Sequence, residues 1–478
     1  MKYVGRITVA ECRTIEDRLN QQVVGSVGLG SLLNDLLAFG RQGKRFSIFR
    51  EAGMGGVRTV RLSPSLSGAR CGPSISNKIV FTRSSISWRS NERRSPFTQA
   101  LRDSAVIVSN RRDDPDVDAH SPVVYSDQLG PLPLKDWRRS FRQPLFLSSV
   151  QLVSLLRTLS LNPALATALW HGLILQTLRL TQALRWFASQ RPRALVVEYD
   201  RGGFCSPLVA AATALAIPTF TFVHGAVGPE GYAPLLADWV LCDGERQRAR
   251  FLRLGVERSR ALVVGSATKS IGAPHPPILE SPLRLLYATN NDLPIYDRIN
   301  LAVMVLEAVV QARSHWVMTL RSHPSENIAI YKSAMRGRTD VGYSDGSLEP
   351  IAGVLVAADL VACRRSTIAD DAALLGRDTI LVDLPGGGGW RDVGACELAP
   401  YATDASSLAS VLDRWADDPR FRERQALITE GAARELVALT GEAAIARTLD
   451  GLLRPPERLA RRPTQPARQL DVSGVLSV

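Results

Sequence analysis

Arg321-Ser322-His323-Pro324-Ser325-Glu326 follows directly on the apolar run His315–Leu320. A buried strand ending in a basic residue, an imidazole and a proline delivers two hydrogen-bond donors into a loop, where an anion such as a phosphate can be held. A surface turn whose Arg and His are merely solvated is the plainer alternative. A second such place is Arg364-Arg365-Ser366-Thr367, where a strand gives way to a helix. Helix N-termini carry unpaired amides and the positive end of the dipole, so Ser366 and Thr367 can meet a phosphate with hydroxyl and backbone alike. Ser366 acting only as an N-cap is the structural alternative. Asn290 and Asn291 lie beyond a third strand end, and Pro385 with four glycines beyond a fourth, as a loop able to close over a ligand or simply to connect.

Proton acceptors are sought on the other half of the chain. His224, before Gly225, ends an apolar strand, where it serves as a base or only ties down the turn. Glu198 and Asp200 flank Tyr199 at another strand end, and alternation along an extended chain would place both carboxylates on one face. Glu230 is a weaker loop candidate.

The elements that must position these groups repeat in two series. Strands are predicted at Ile79–Phe81, Ala105–Val108, Ala194–Glu198, Thr219–Val223, Trp239–Cys242 and Ala261–Val264. Helices are predicted from Asn162-Pro163 to Ser189, over Pro207–Ala216, and over Glu245–Leu254 with Gly255 as its left-handed cap. The proline-dense run Ile271–Ile278 can neither continue a helix nor sit in a central strand. The rhythm then restarts with strands at Leu283–Tyr287, His315–Leu320, Asp359–Ala362 and Thr379–Asp383. Helices alternate with them at Ile295–Ala312, Ile351–Ala357 and Ser366–Leu375, and three helical segments follow over 406–453. Alternating strands and helices imply parallel sheets, and two such halves make the cleft between them the natural site.

The predicted organisation is an α/β chain of two Rossmann-like domains facing a central cleft. Residues 1–270 form the N-terminal domain, whose first 143 residues are divergent and basic; 271–281 are a linker; 282–455 form the C-terminal domain; 456–478 are a basic flexible tail. The Ser- and Arg-rich stretch 62–97 reads as partly mobile, and 111–120 as an acidic loop.

The formal net charge is +12 over 478 residues, but it is unevenly placed. Residues 1–143 carry 23 Lys and Arg against 13 Asp and Glu, and residues 454–478 carry five Arg against two acids, which leaves the rest close to neutral. Basic ends on a neutral core suit contact with an anionic membrane surface or a polyanionic acceptor. With no zinc-finger spacing, RRM signature or basic recognition helix, they argue against nucleic acid. Six scattered cysteines with no CxxC read as reduced thiols. Met1–Gly30 has no signal-peptide core, and Thr158–Leu178, free of charge but holding Asn162, Pro163, His171 and Gln176, reads as a packed or membrane-touching helix too polar for a span. The expectation is a cytoplasmic protein, peripheral at the inner face of the cell membrane.

Three segments carry a family resemblance. They are Val223-His224-Gly225; Ala237-Asp238-Trp239-Val240 through Gly255 to Val264-Gly265-Ser266; and Arg321-Ser322-His323-Pro324 followed by Arg365-Ser366-Thr367-Ile368-Ala369-Asp370-Asp371-Ala372. Residues 194–385, roughly 40% of the chain, resemble the GT-B glycosyltransferases of bacterial capsule and cell-wall polymers. Within that group they look like the CMP-Kdo and CMP-sialic acid transferases and the CDP-glycerol glycerophosphotransferases. The chain departs from the group in lacking the acidic base motif of the sialyltransferases and the aspartate-rich serine signature of the glycerophosphotransferases. The resemblance implies that His323-Pro324 meets the nucleotide phosphate and that Ser366 and Thr367 support it; Asn290, Arg321 and Arg365 join them as binding candidates by their own places at strand ends. The resemblance also implies an inverting transfer from a nucleotide-sugar, a CMP-sugar first, to a surface polysaccharide or lipid-linked glycan. Neither metal nor other cofactor is required, and His224, Glu198, Asp200 and His323 are the catalytic candidates. A UDP-sugar 2-epimerase and a non-catalytic polysaccharide-assembly protein that kept the fold are the alternatives.

Overall fold

The computed structural model describes residues 22–24, 27–28, 74–83, 88–110, 121–125, 163–223, 232, 235–269, 282–291, 293–336, 338, 340–364, 366–385, 399–457 and 468–470. The strands of the first series are β1 (Ile79–Arg83), β2 (Ala105–Ser109), β3 (Val123–Tyr125), β4 (Ala194–Val197), β5 (Thr219–Phe222), β6 (Trp239–Cys242) and β7 (Ala261–Val263). All their pairings are parallel, and their spatial order is β3-β2-β1-β4-β5-β6-β7. The second series is β8 (Leu283–Ala288), β9 (Trp316–Arg321), β10 (Val341–Ser344), β11 (Leu360–Cys363), β12 (Asp378–Val382) and β13 (Tyr401–Ala402), again parallel, in the order β10-β9-β8-β11-β12-β13. Both sheets therefore reverse direction in the middle, the first between β1 and β4 and the second between β8 and β11. This is the doubly wound Rossmann arrangement, with two parallel-sheet domains.

Central strands of a parallel sheet are covered on both faces, which is why they read as unbroken apolar runs. β1, β2, β4, β6, β11 and β12 are buried along their whole length. The covering helices are α1 (Trp88–Leu101), α2 (Pro163–Ser189), α3 (Cys205–Ala214), α4 (Glu245–Arg253), α5 (Ile295–Gln311), α6 (Ala329–Ala334), α7 (Ile351–Val356), α8 (Ile368–Leu374), α9 (Ala405–Asp417), α10 (Pro419–Leu436) and α11 (Gly441–Leu453). Gly255 ends α4 at φ +84°, as its cap position requires. Asp404 and Ser407 close a reciprocal capping box at the start of α9, and Asp418 with Pro419 opens α10.

Two of the elements outside the predicted series have little apolar signal. α1 is charged and carries Pro96 within it, and β10 is the half-exposed Val-Gly-Tyr-Ser. Within the stretch expected to be partly mobile, β1 and most of α1 are regular elements. The linker 271–281, the acidic loop 111–120 and the glycines at 386–389 lie outside the described residues.

The last helix crosses between the two units. Leu452 of α11 is enclosed among Ile79, Phe97, Phe220 and Trp239 of the first unit, with Ile445, Leu449 and Leu453 packed beside it. The crossing is fastened just before that helix. The Ala438 amide donates to the Asp243 carbonyl at 2.9 Å, and the Ser266 amide donates to the Leu439 carbonyl at 2.9 Å. The segment expected to close the second domain at 455 thus gives its final helix to the first domain's core. Among the described residues no helix is long and apolar enough to cross a membrane, and Cys205, Cys242 and Cys363 are buried free thiols.

Candidate functional site

The carboxyl ends of β8, β9 and β11 bring one group of candidates together. In a doubly wound sheet the crevice for a ligand opens where the strand order reverses. Thr289, Asn290 and Asn291 follow β8 and Arg364, Ser366 and Thr367 follow β11, so these two loops flank the reversal, with the His323 turn on the neighbouring strand end.

The His323 ring is held at Nδ1. Its Nδ1 lies 3.2 Å from the Ser325 amide and 2.8 Å from the Ser325 hydroxyl. An amide can only donate, so Nδ1 is the acceptor and the proton of the neutral ring sits on Nε2. Asn291 Nδ2 donates to the same hydroxyl at 2.6 Å, so the hydroxyl in turn can give its own proton to Nδ1. His323 is thereby set to act as an N–H donor through Nε2, the polarity an anionic ligand needs.

Glu326 supports this turn. Its carboxylate accepts from the His323 amide at 2.9 Å, from the Tyr331 hydroxyl at 2.9 Å, from Arg298 and from the Thr289 hydroxyl. Burial by itself would raise its pKa, but the bonds from Thr289, Arg298, the His323 amide and Tyr331 outweigh it and hold the carboxyl below its ordinary value. Burial pushes the Tyr331 phenol above its ordinary range, with the Glu326 charge adding to it. Glu326, Thr289 and Ser325 carry no assigned role in the sequence reading. The signal for Glu326 was the spacing of three after His323, at which a carboxylate can return to a turn's first amide.

Arg321 is not part of this grip. It is buried at the end of β9, where its guanidinium donates to the Ser344 hydroxyl at 2.6 Å and to the Glu349 carbonyl at 2.5 Å. The residue that ends a central strand is enclosed by the next strand's loop, so this side chain latches β9 to β10 instead of entering solvent. Pro324 is exposed at the tip of the turn and Asn290 is half-buried.

At the other flank the helix begins two residues later than the sequence predicts. Thr367 is the N-cap of α8 and its side chain makes no capping bond, while the Ser366 hydroxyl accepts the Ile368 amide at 3.3 Å. Asp370 and Asp371 stand in the first turn, complementing the dipole that a phosphate would use. Arg364 turns back to Asp383 at 2.6 Å and ties the ends of β11 and β12. Arg365 lies outside the described residues.

The base candidates separate. Asp200 is 0% exposed, and one oxygen accepts the amides of Leu236 at 2.6 Å and Ala237 at 2.9 Å. Burial raises its pKa, with those two amides opposing. The chain turns at Asp200, so strand alternation no longer applies. The carboxylate anchors the segment entering β6 and is closed to an acceptor. Glu198 stays at the reversal point of the first sheet, its carboxylate 4.0 Å from Arg94 and its amide 3.3 Å from the Thr82 hydroxyl. His224 and Glu230 lie outside the described residues. The Ala237-Asp238-Trp239 segment has a structural explanation, since Asp238 accepts the Thr219 amide at 3.0 Å and hydroxyl at 2.9 Å and so pins β5 to β6.

No protein-family model matches the chain, and no curated protein matches it in sequence. Solved structures match it in three dimensions. They include Anabaena HepE in complex with UDP and glucose, at 14% identity and TM-score 0.47, covering 80% of this chain and 100% of that one. UDP-GlcNAc 2-epimerase from Neisseria meningitidis bound to UDP-GlcNAc matches at 10% identity and TM-score 0.49, covering 79% and 99%. The lipopolysaccharide outer core galactosyltransferase WaaB matches at 11% identity and TM-score 0.45, covering 78% and 99%. At these identities and TM-scores the matches carry no further argument, and the strand orders above define the class: two Rossmann-like domains.

Proposed function

We propose that the chain is a glycosyltransferase of the GT-B type that takes a sugar from a nucleotide-activated donor, with the donor's phosphate held at the strand reversal of the second sheet. The observation that carries this reading is the His323 ring, whose Nδ1 is occupied by the Ser325 amide at 3.2 Å so that Nε2–H is the donating edge. The family resemblance gives a CMP-sugar as the first donor to try and a surface polysaccharide or lipid-linked glycan as acceptor.

In this mechanism Glu198 takes the proton of the acceptor hydroxyl as that oxygen bonds to the anomeric carbon. The bond from that carbon to the phosphate oxygen breaks, and its electron pair leaves on the phosphate. His323 Nε2–H donates to that oxygen, and the Ser366 and Thr367 loop supplies further donors, so the developing charge is met by groups already in place.

The test is a thermal-shift panel of CMP, CDP, UDP and GDP on the wild type and on His323→Ala. Saturation at about 100 times Kd stabilises by about 2.7 kcal/mol, and the variant is expected to lose that response. No response from the wild type, or an equal one from the variant, defeats the reading. Incubation with UDP-GlcNAc without an acceptor separates the epimerase alternative, which would interconvert the sugar.

A further inference from the structure

One buried carboxylate closes the His323 turn from both ends. The Glu326 amide donates to the His323 carbonyl at 2.8 Å, while its carboxylate accepts the His323 amide at 2.9 Å. The side chain is 2% exposed, and each partner that reaches its oxygens is a donor. Oε2 takes the His323 amide and the Thr289 hydroxyl; Oε1 takes the Tyr331 hydroxyl and Arg298. These donors come from the loop after β8, the loop after β9, and helices α5 and α6, so one side chain gathers the elements around the strand reversal. Thr289 also accepts the His323 amide at 3.0 Å, which completes a closed set of three.

We propose that Glu326 is the positioning residue of the donor site, fixing the His323 backbone against Thr289 so that the ring stays in the Nε2–H tautomer with its Nδ1 on Ser325. The proposal deepens the donor-site reading and rests on it for the ligand it serves. Only a carboxylate fits the place. Four donors converge on two oxygens, whereas a glutamine offers one oxygen and turns an NH2 group against two of the donors. The cost is felt first at the His323 amide, because Arg298 and Tyr331 have longer side chains with which to readjust.

A merely structural role would lower stability and leave the ring alone. The experiment therefore reads the ring directly. Imidazole 15N shifts of His323 are recorded in the full-length wild type, Glu326→Gln and Tyr331→Phe without ligand, and each protein is then titrated with CMP and UDP. The wild type is expected to show an unprotonated Nδ1 and a protonated Nε2. Glu326→Gln is expected to show both tautomers in exchange and at least a tenfold weaker affinity for the nucleotide that binds. Tyr331→Phe, which removes a donor to Oε1 and leaves the His323 amide on Oε2, keeps the wild-type pattern. A folded Glu326→Gln with the wild-type ring overturns the proposal, as does equal scrambling in Tyr331→Phe. If Glu326→Gln does not fold, Thr289→Val carries the same expectation, and an unchanged ring there overturns it. Should neither nucleotide bind the wild type, the donor-site reading fails, and the tautomer comparison still decides what Glu326 does.

Discussion

The Ser325 amide points at Nδ1 of His323 from 3.2 Å, which makes Nε2 the nitrogen that carries the proton of the neutral ring. The two amide side chains that can replace histidine differ in reach, the glutamine nitrogen overlaying Nε2 and the asparagine nitrogen Nδ1. His323→Gln is therefore expected to keep most of the nucleotide affinity, and His323→Asn to lose about tenfold, the worth of one charge-assisted hydrogen bond. Isothermal titration with the nucleotide that stabilises the wild type checks this, and equal losses would remove the donor role from Nε2.

Asp200 and Glu198 are expected to fail in different ways. Asp200→Ala removes the acceptor of the part-buried Leu236 amide and of the buried Ala237 amide, the latter at about 1–3 kcal/mol. Its expected signature is a large fall in the urea midpoint. Glu198→Gln is expected to keep the midpoint and lower turnover by about 100-fold, in the range of a removed general base. Transferase assays and denaturation on both variants decide it, and the reverse pattern would make Asp200 the base.

Gly346 reports how closely the second sheet's loops are fitted. A Cβ there would come within 2.1 Å of the Ser322 carbonyl oxygen, and that oxygen belongs to the backbone just before His323. Gly346→Ala is expected to cost about 1–3 kcal/mol as overpacking and to weaken nucleotide binding without contacting the ligand. Melting and titration of the same sample check both, and a variant with wild-type affinity would uncouple the two loops.

The pH dependence of stability has two opposed contributions. Glu326 has a depressed pKa, so its contribution is complete above the ordinary glutamate value and is lost as pH falls through the lower folded one. Asp200 has a raised pKa, so its burial costs more stability as pH climbs through that raised value. Melting curves across pH are expected to show a shallower acid limb for Glu326→Gln than for the wild type, and a flatter rise toward low pH for Asp200→Asn. Parallel curves for all three proteins would contradict both assignments.

The two α/β series are legible in the residue pattern alone. Runs such as Ala194–Val197 and Leu360–Cys363 are buried on both faces, and a strand covered on both faces must be apolar throughout. That pattern also placed His323, Ser366 and Asn290 at strand ends, because an apolar run has a visible end. What it could not read was direction. Arg321 and Asp200 end strands as His323 and Glu198 do, yet Arg321 turns into Ser344 and Asp200 into the amides of 236 and 237. That choice depends on which loop the sheet order sets beside each strand end. The crossing of α11 to the first sheet is of the same kind, since Leu452 finds Phe220 and Trp239 only once both sheets exist. Glu326 needed the tertiary structure most, because its four partners converge only when β8, β9, α5 and α6 have been folded around one carboxylate.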